Sequence, residues 1–147
     1  STAVAKRDAA AAPQVKTLTE SKGSNYPPGR MLVASPLAVQ DELTQVPPGR
    51  VITAPVLRAR LARRFGADYT CPITTGLFLR IVAEAALEEA RDREVPVWRV
   101  VAENGALLDT LPGGAARQAE RLQDEGVGVE RRRARWVVTD LETVAVS

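Results

Sequence analysis

Histidine is absent from the 147-residue chain, and cysteine occurs once, as Cys71. Without histidine, a Ser-His-Asp triad, a Cys-His pair and a His-ligated zinc site are all excluded. A single thiol cannot form an internal disulfide or a cysteine-rich metal cluster, so the composition fits a reducing cytoplasm. We therefore expect no metal and no other cofactor, and Cys71 is either inert or a lone nucleophile.

Long apolar runs are also missing. No run approaches the roughly 20 residues of a membrane span, and the N-terminus lacks the apolar block of a signal peptide. Hydrophobic residues make up 45% of the chain and charged residues 26%, which is typical of one compact domain. We expect a soluble cytoplasmic protein that does not bind membranes.

Lysine is scarce, since 17 of the 20 basic residues are arginine and the three lysines all lie among the first 22 residues. The net charge of +2 is too small to establish nucleic-acid binding by itself. The arginine-rich composition has two explanations. One is the codon bias of a high-GC genome, and the other is selection for planar, bidentate contacts to phosphates or bases.

Residues 1–30 contain few large apolar side chains and show no helical or strand period. They carry five basic and two acidic residues, a net charge of +3, whereas residues 31–147 carry 15 basic and 16 acidic residues. We predict a flexible, disordered basic tail over residues 1–30 and a folded domain over residues 31–147. The tail is either a solvated leader or a basic arm that speeds association with DNA.

Helix signals are clear after residue 31. Ser35 and Pro36 predict a helix over residues 36–45, Thr53 caps a second helix over residues 54–65, and a third helix starts near Pro72 and runs to about residue 93. The third helix carries an apolar stripe along one face, formed by Ile73, Leu77, Ile81 and Ala85.

The hydrophobic period then changes. Residues 95–102 alternate like a strand, Asn104-Gly105 predicts a hairpin turn, and residues 106–111 predict the returning strand. A fourth helix over residues 115–125 ends at Gly126, and a last hairpin pairs residues 127–130 with residues 136–138. This order predicts an α+β winged helix-turn-helix in which residues 54–65 and 72–93 form the helix-turn-helix and residues near Pro72 face nucleic acid.

Several short sequence segments follow one another along the chain. They are residues 46–51, Thr53, residues 95–101, Asn104-Gly105, then Gln118, Leu122 and residues 125–127. In this order they resemble the DNA-binding domain of O6-alkylguanine-DNA alkyltransferases over about residues 35–130. Three further segments are similar to sequence motifs of a bacterial alkyltransferase subgroup, namely residues 31–33, 67–76 and 112–114. The resemblance implies a winged-helix alkyltransferase-like domain over residues 31–147 in a nucleoid-associated cytoplasmic protein of bacteria. It also implies double-stranded, alkylated DNA and a DNA-repair protein as partners.

The resemblance also shows what this chain has lost. Alkyltransferases carry Pro-Cys-His-Arg-Val, in which the histidine activates a thiolate that accepts the alkyl group. The aligned residues 96–100 place Val97 at the cysteine and Trp98 at the histidine, so we predict that the chain is not an enzyme. Alkyltransferase-like proteins, which bind alkylated guanine without repairing it, usually carry tryptophan at the cysteine position, one residue before Trp98. The tyrosine that helps to flip the nucleotide falls near Ala54, and the intercalating arginine falls near Ile73.

Eight residues are candidates for DNA contact. Three threonines at the start of the third helix are positioned for a phosphate or a minor groove, with N-capping by Thr70 and solvation as the alternative. Gly76 permits either close approach of DNA or close helix packing. Trp98 either stacks on a base or belongs to the core, and Arg99 either forms a buried ion pair or contacts DNA. The set is Thr53, Thr70, Thr74, Thr75, Gly76, Arg80, Trp98 and Arg99.

The leading hypothesis is a non-catalytic DNA-binding protein of the alkyltransferase-like type that senses alkylated or damaged guanine. One alternative is a protein-protein interaction module that has kept the fold and lost DNA binding. Another makes Cys71 a sacrificial alkyl acceptor, because a helix start lowers the pKa of a thiol. Two arginine runs either contact phosphates on two sides of a duplex or form solvated faces. They comprise Arg58, Arg60, Arg63 and Arg64, and Arg131, Arg132, Arg133 and Arg135.

Overall fold

The computed structural model describes residues 2–147, in which short helices alternate with short strands. The helices are α1 (Ala3–Ala9), α2 (Pro36–Leu43), α3 (Ala54–Arg64), α4 (Pro72–Glu88), α5 (Gly114–Asp124) and α6 (Leu141–Val144). The strands are β1 (Gln14–Leu18), β2 (Gly29–Val33), β3 (Ile52–Thr53), β4 (Tyr69–Thr70), β5 (Val100–Val101), β6 (Val129–Arg132) and β7 (Arg135–Val138). The predicted α+β class is confirmed.

Helices α2, α3 and α4 begin where the sequence predicts. The Ser35 hydroxyl accepts a hydrogen bond from the Ala38 amide at 3.1 Å, which caps α2. Thr53 occupies the N-cap position of α3, but its side chain makes no capping bond there. The three helices pack around a core that includes Leu32, Leu43 and Leu61, each of which is fully buried. Helix α2 packs against both α3 and α4, and residues 65–71 join α3 to α4.

Helix α4 differs from its prediction in its end and in its faces. It stops at Glu88 rather than near residue 93, because Ala90 adopts a left-handed conformation and the Arg91 amide bonds back to the Ala86 carbonyl at 2.7 Å. The apolar stripe is only partly buried, since Ile73 is 70% exposed and Leu77 is 46% exposed. Within the stripe Ala85 is buried, and it packs on the core together with Thr75, Leu79, Val82, Ala83 and Ala86. The N-terminal half of the stripe, Ile73 and Leu77, therefore faces solvent, whereas its C-terminal half is at least partly buried.

The prediction of a flexible tail over residues 1–30 is wrong for the described residues, and Ser1 lies outside them. Helix α1 packs against α4 because the Glu88 carboxylate accepts hydrogen bonds from the Ala3 and Val4 amides at 2.9 and 3.0 Å. Arg7 is 7% exposed and makes a bidentate ion pair with Glu89, at 2.6 and 2.9 Å. These partners lie more than 80 residues away in sequence, so local composition could not reveal them.

Strand β1 also orders the N-terminal segment. It pairs antiparallel with β2, and β2 pairs parallel with β4, which gives a three-stranded sheet in the order β1-β2-β4. The predicted domain boundary at residue 30 therefore falls inside β2. Since β4 leads directly into α4, this sheet connects the N-terminal segment to the helix-turn-helix.

The predicted hairpin over residues 95–111 is wrong, although its turn is present. Residues Val97–Arg99 form a 3-10 helix, and β5 pairs parallel with β3 rather than with residues 106–111. The buried Gln118 amide explains this geometry, because it donates to the Trp98 carbonyl at 3.0 Å and to the Val100 carbonyl at 2.7 Å. The turn at Asn104-Gly105 is closed by a hydrogen bond from the Gly105 amide to the Ala102 carbonyl.

The predictions of a fourth helix and a terminal hairpin are confirmed. Helix α5 is followed by Gly126 at a positive φ of 82°, and β6 pairs antiparallel with β7 as the terminal hairpin. A second apolar cluster forms here, in which Leu122, Val127 and Val138 pack with Trp98. Within residues 2–147, no helix has the length and apolarity needed to cross a membrane, and no group of three potential ligand side chains is placed to hold a metal ion.

Candidate nucleic-acid interface

The start of α4 forms an exposed face beside α3. Ile73, Gly76, Leu77 and Arg80 are all exposed along its first three turns. Nothing lies within 4 Å of the place where a side chain on Gly76 would begin. A ligand can therefore approach the helix backbone closely at this glycine.

The four predicted threonines differ in their accessibility. The Thr70 hydroxyl donates to the Arg58 carbonyl at 2.8 Å, and the Thr75 hydroxyl donates to the Cys71 carbonyl at 2.7 Å. Both side chains are buried, as is Thr53, so in this conformation they stabilise the fold rather than face a groove. Thr74 is only half-buried, and its long 3.5 Å hydrogen bond to the Cys71 carbonyl leaves it the most accessible of the four.

Thr70 does not cap α4. The N-cap residue is Cys71, and its side chain makes no capping bond. Its thiol is buried and lies 3.2 Å from the Tyr26 hydroxyl. Burial raises the pKa of the thiol, but hydrogen bonds involving Thr74 and Tyr26 outweigh it and lower the pKa of Cys71 overall. The burial of this thiol favours a structural role over that of an alkyl acceptor.

Arg99 is held by a buried ion pair, as one reading of the sequence predicts. Its guanidinium donates to both oxygens of Glu125, with Nε at 3.0 and 3.1 Å, and its Nη1 donates to the Val46 carbonyl at 2.6 Å. The Gly49 amide also donates to Glu125, at 3.3 Å. Burial raises the pKa of the Glu125 carboxyl, but the hydrogen bonds from Arg99 and Gly49 outweigh it and hold that pKa below its usual range.

Trp98 is 7% exposed and packs in the second apolar cluster. The guanidinium groups of Arg99 and Arg121 lie 5.2 and 5.1 Å from its ring centroid, within the range of a cation-π interaction. The Trp98 Nε1 has no hydrogen-bond partner of normal geometry, although its position near Glu125 helps to lower the pKa of that carboxyl. Trp98 therefore belongs to the core and contributes its edge to a cavity.

That cavity has a volume of about 100 Å³. It lies between α4, the 3-10 helix and the start of α5, and its lining includes Ala83, Leu87, Val97, Trp98, Leu111 and Gln118. Ligand pockets usually measure roughly 300–1,000 Å³, so this cavity is smaller than a typical ligand site. Leu111, Pro112 and Gly114 also form part of its wall.

Some side chains in the two arginine runs already have hydrogen-bond or ion-pair partners within the protein. Arg60 donates to the Ser147 carbonyl at 3.0 Å, and Arg64 lies 3.3 Å from Asp41 and 3.6 Å from Glu42. On the terminal hairpin, Arg132 pairs with Glu130, while the remaining arginines of that run are exposed. Charge available for phosphates is therefore distributed around the molecule rather than concentrated on one helix.

The sequence interpretation missed two features of this face. Ile73 and Leu77 are exposed at its centre. The sequence carried a signal for this exposure, because α4 has two apolar stripes and a helix that contacts a single core buries only one of them. The loop before β2 also reaches the start of α4 through Tyr26, and only the three-dimensional pairing of β1, β2 and β4 reveals this contact.

A helix pair followed by a small C-terminal β-hairpin defines the class of winged helix-turn-helix domains. The family of 6-O-methylguanine DNA methyltransferase DNA-binding domains matches residues 36–127, and this chain belongs to that family. The chain shows no match among curated protein sequences.

Two solved structures share the fold. One is S. pombe Atl1 in complex with damaged DNA containing O6-carboxymethylguanine, with a TM-score of 0.57. The other is S. pombe ATL in complex with DNA, with a TM-score of 0.53. Each is 22% identical to this chain, and each similarity covers 76% of this chain and 94% of the other. The predicted family and fold are therefore confirmed.

Proposed function

We propose that this protein binds double-stranded DNA without catalysis and senses alkylated or damaged guanine. The observation that carries the proposal is the exposed start of α4 within a fold of the methyltransferase DNA-binding family. Val97 and Trp98 stand where the resemblance places the acceptor cysteine and its histidine, so the chain carries no nucleophile there. The similar fold of S. pombe Atl1, solved with damaged DNA, supports the same assignment.

Contact with the duplex is assigned to the accessible members of the predicted set, Thr74, Gly76 and Arg80. Gly76 lets the helix backbone approach a groove, and the exposed Arg80 guanidinium supplies a charge for a backbone phosphate. Trp98 and Arg99 act indirectly, since they hold the cavity wall and the 3-10 helix in place. Thr53, Thr70 and Thr75 stabilise the fold that presents this face.

Guanine recognition is assigned to the cavity beside Val97 and Trp98. A base removed from the helical stack is read in a closely fitting pocket, and its entry costs unstacking energy. Because the cavity holds about 100 Å³, it must widen before it accepts a flipped guanine. A DNA-repair protein that recognises the resulting complex completes the proposed role, which places the protein on DNA in the bacterial cytoplasm.

The first test is fluorescence anisotropy with two labelled duplexes that differ by one O6-methylguanine, each titrated at two salt concentrations. Phosphate contacts are measured by the dependence of log K on log salt, and lesion recognition is measured by the affinity ratio between duplexes. Arg80→Ala is expected to lower the salt slope by about 1 on both duplexes. The matched control is Arg93→Ala, an exposed arginine that follows the C-terminal end of α4, a helix of 17 residues and roughly 25 Å in length.

Lesion recognition has its own variant pair. Leu87 lines the cavity and is 50% exposed, so Leu87→Trp is expected to narrow the cavity and reduce the affinity ratio while leaving the salt slope unchanged. Leu37→Trp, at a site 45% exposed on α2 and outside the cavity lining, is the control. Equal affinity of the wild type for both duplexes would refute lesion sensing, and no binding at low salt would refute the whole proposal.

The second candidate is a protein-protein interaction module on the same fold. It is favoured by the exposed apolar pair Ile73 and Leu77 at the start of α4. Exposed apolar surface next to polar residues marks many protein interfaces. This candidate would be selected if the protein showed no salt-dependent affinity for DNA and bound a partner protein through a contact that Ile73→Ser abolishes.

A further inference from the structure

The loop between β1 and β2, residues 19–28, is fixed against the helix-turn-helix. The Tyr69 hydroxyl donates to the Pro27 carbonyl at 2.8 Å, and the Tyr26 hydroxyl lies 3.2 Å from the Cys71 sulfur. At the base of the loop, the Asp68 carboxylate accepts a hydrogen bond from the Arg30 amide at 2.8 Å. Two contacts from loop residues and one from the start of β2 therefore attach this loop to the turn between α3 and α4.

The same loop forms one wall of a surface cleft. Asn25 and Pro27 line that wall, Arg58 lies on the α3 side, and Tyr69 and Pro72 lie between them. The cleft has a volume of about 310 Å³ and is open to solvent. It therefore runs beside the first turns of both helices, next to the exposed face of α4.

Positively charged side chains lie in this loop and in the two strands that flank it. Lys16, Lys22 and Arg30 are exposed, and within residues 2–147 neither Lys16 nor Arg30 forms an ion pair. Lys22 lies 3.4 Å from Glu20, but both side chains are more than half exposed, and exposed pairs of this kind contribute little. The Lys22 ammonium is therefore available to a stronger anionic partner.

We infer that the loop of residues 19–28 is a third DNA-contacting element, in which Asn25 lies across the cleft from Arg58 and the exposed Lys22 supplies a positive charge from the same loop to a backbone phosphate. The inference rests on the proposed function and extends the interface beyond residues 36–127, where the family similarity lies. A duplex against the start of α4 places one strand along the cleft, and phosphates are the groups that lysine and arginine bind there. The loop adds affinity without reading bases.

The test compares salt slopes on an undamaged duplex for the full chain. Lys22→Ala and Arg58→Ala are each expected to weaken binding several-fold and to lower the salt slope by about 1, the value of one lost phosphate contact. Arg93→Ala also removes one exposed positive charge, but at the far end of α4, and is expected to leave the slope within error. Thermal unfolding of each variant checks that the fold is retained.

The outcomes separate the inference from the proposed function. A wild-type protein without salt-dependent duplex binding refutes both. Binding by the wild type with equal slopes for Lys22→Ala and Arg93→Ala overturns the inference alone, because net charge then explains both effects. Tighter binding by Lys22→Ala also overturns it, since the loop would then obstruct the duplex.

Discussion

Removal of the Glu125 carboxylate is expected to lower the free energy of unfolding by about 3–5 kcal/mol, the usual cost of leaving one partner of a buried ion pair without its counter-charge. The side chains of Arg99 and Glu125 are only 10% and 13% exposed. In Glu125→Ala, the Arg99 guanidinium keeps its bond to the Val46 carbonyl but loses its hydrogen bonds to the carboxylate, and the Gly49 amide loses its acceptor.

Urea denaturation of Glu125→Ala measures this loss. The matched control is Glu120→Ala, which breaks the 3.0 Å pair with Arg117 on the same helix, where the side chains are 63% and 48% exposed. That exposed pair is expected to contribute less than about 1 kcal/mol. Replacing Arg99 and Glu125 together by methionine and leucine is expected to restore most of the stability, because no uncompensated charge is left.

The same pair gives the protein a defined response to acid. Hydrogen bonds from Arg99 and Gly49 outweigh burial and hold the pKa of Glu125 below its usual range. The stability that this charge supplies is therefore complete above the unfolded pKa of about 4.3 and is lost as the pH falls through the folded pKa. The difference between the wild type and Glu125→Ala should be constant near neutrality and shrink in acid. Equal losses for Glu125→Ala and Glu120→Ala at pH 7 would show that the reasoning is wrong.

Three further changes test separate parts of the fold. Glu88→Gln is expected to speed hydrogen exchange of α1 without affecting α4. Since the Val4 and Ala3 amides lower the pKa of Glu88, wild-type α1 should be released in the same way as the pH falls through the folded pKa of Glu88. Gly113→Ala is expected to lower the unfolding free energy by about 1–2 kcal/mol, because Gly113 has a φ of +84° and a new Cβ would lie 2.7 Å from the Arg117 Cβ. The control Gly76→Ala, in open space within α4, is expected to raise that free energy by up to about 1 kcal/mol. Leu61→Ala should cost about 2–5 kcal/mol in urea denaturation, whereas an unchanged midpoint would contradict the assignment of Leu61 to the core.

Local signals were sufficient for the starts of α2, α3 and α4, for α5 and for the last hairpin. Ser35 caps α2 with its own side chain, and Gly126 takes the positive φ that a helix end requires, so both bounds follow from residue chemistry. The hairpin expected at residues 95–111 failed because Gln118, from a distant helix, binds the carbonyls of Trp98 and Val100 and directs β5 to β3. A tertiary hydrogen bond of this kind has no local signature.

In the candidate site, too, local sequence signals predicted some features, whereas others depend on tertiary packing. The buried ion pair of Arg99 was one of the two alternatives, since an arginine among apolar residues requires a carboxylate or carbonyl partner. The threonines near Pro72 could not be ranked from the sequence, because which side of α4 faces the core depends on the packing of α2 and α1. The role of residues 1–30 was missed for a related reason, since the capping carboxylate for α1 belongs to Glu88.

The central position of β2 in its sheet bears on how fragments of this protein should be cut. A fragment that begins at residue 36, where the family similarity starts, would lack β1 and β2 and leave β4 as an unpaired strand beside the helix-turn-helix. Its open edge would offer backbone groups to other chains, and apolar surface normally covered by the fully buried Leu32 would face water. Such a fragment is expected to self-associate, and any loss of DNA affinity in it would report aggregation rather than the contribution of the missing residues.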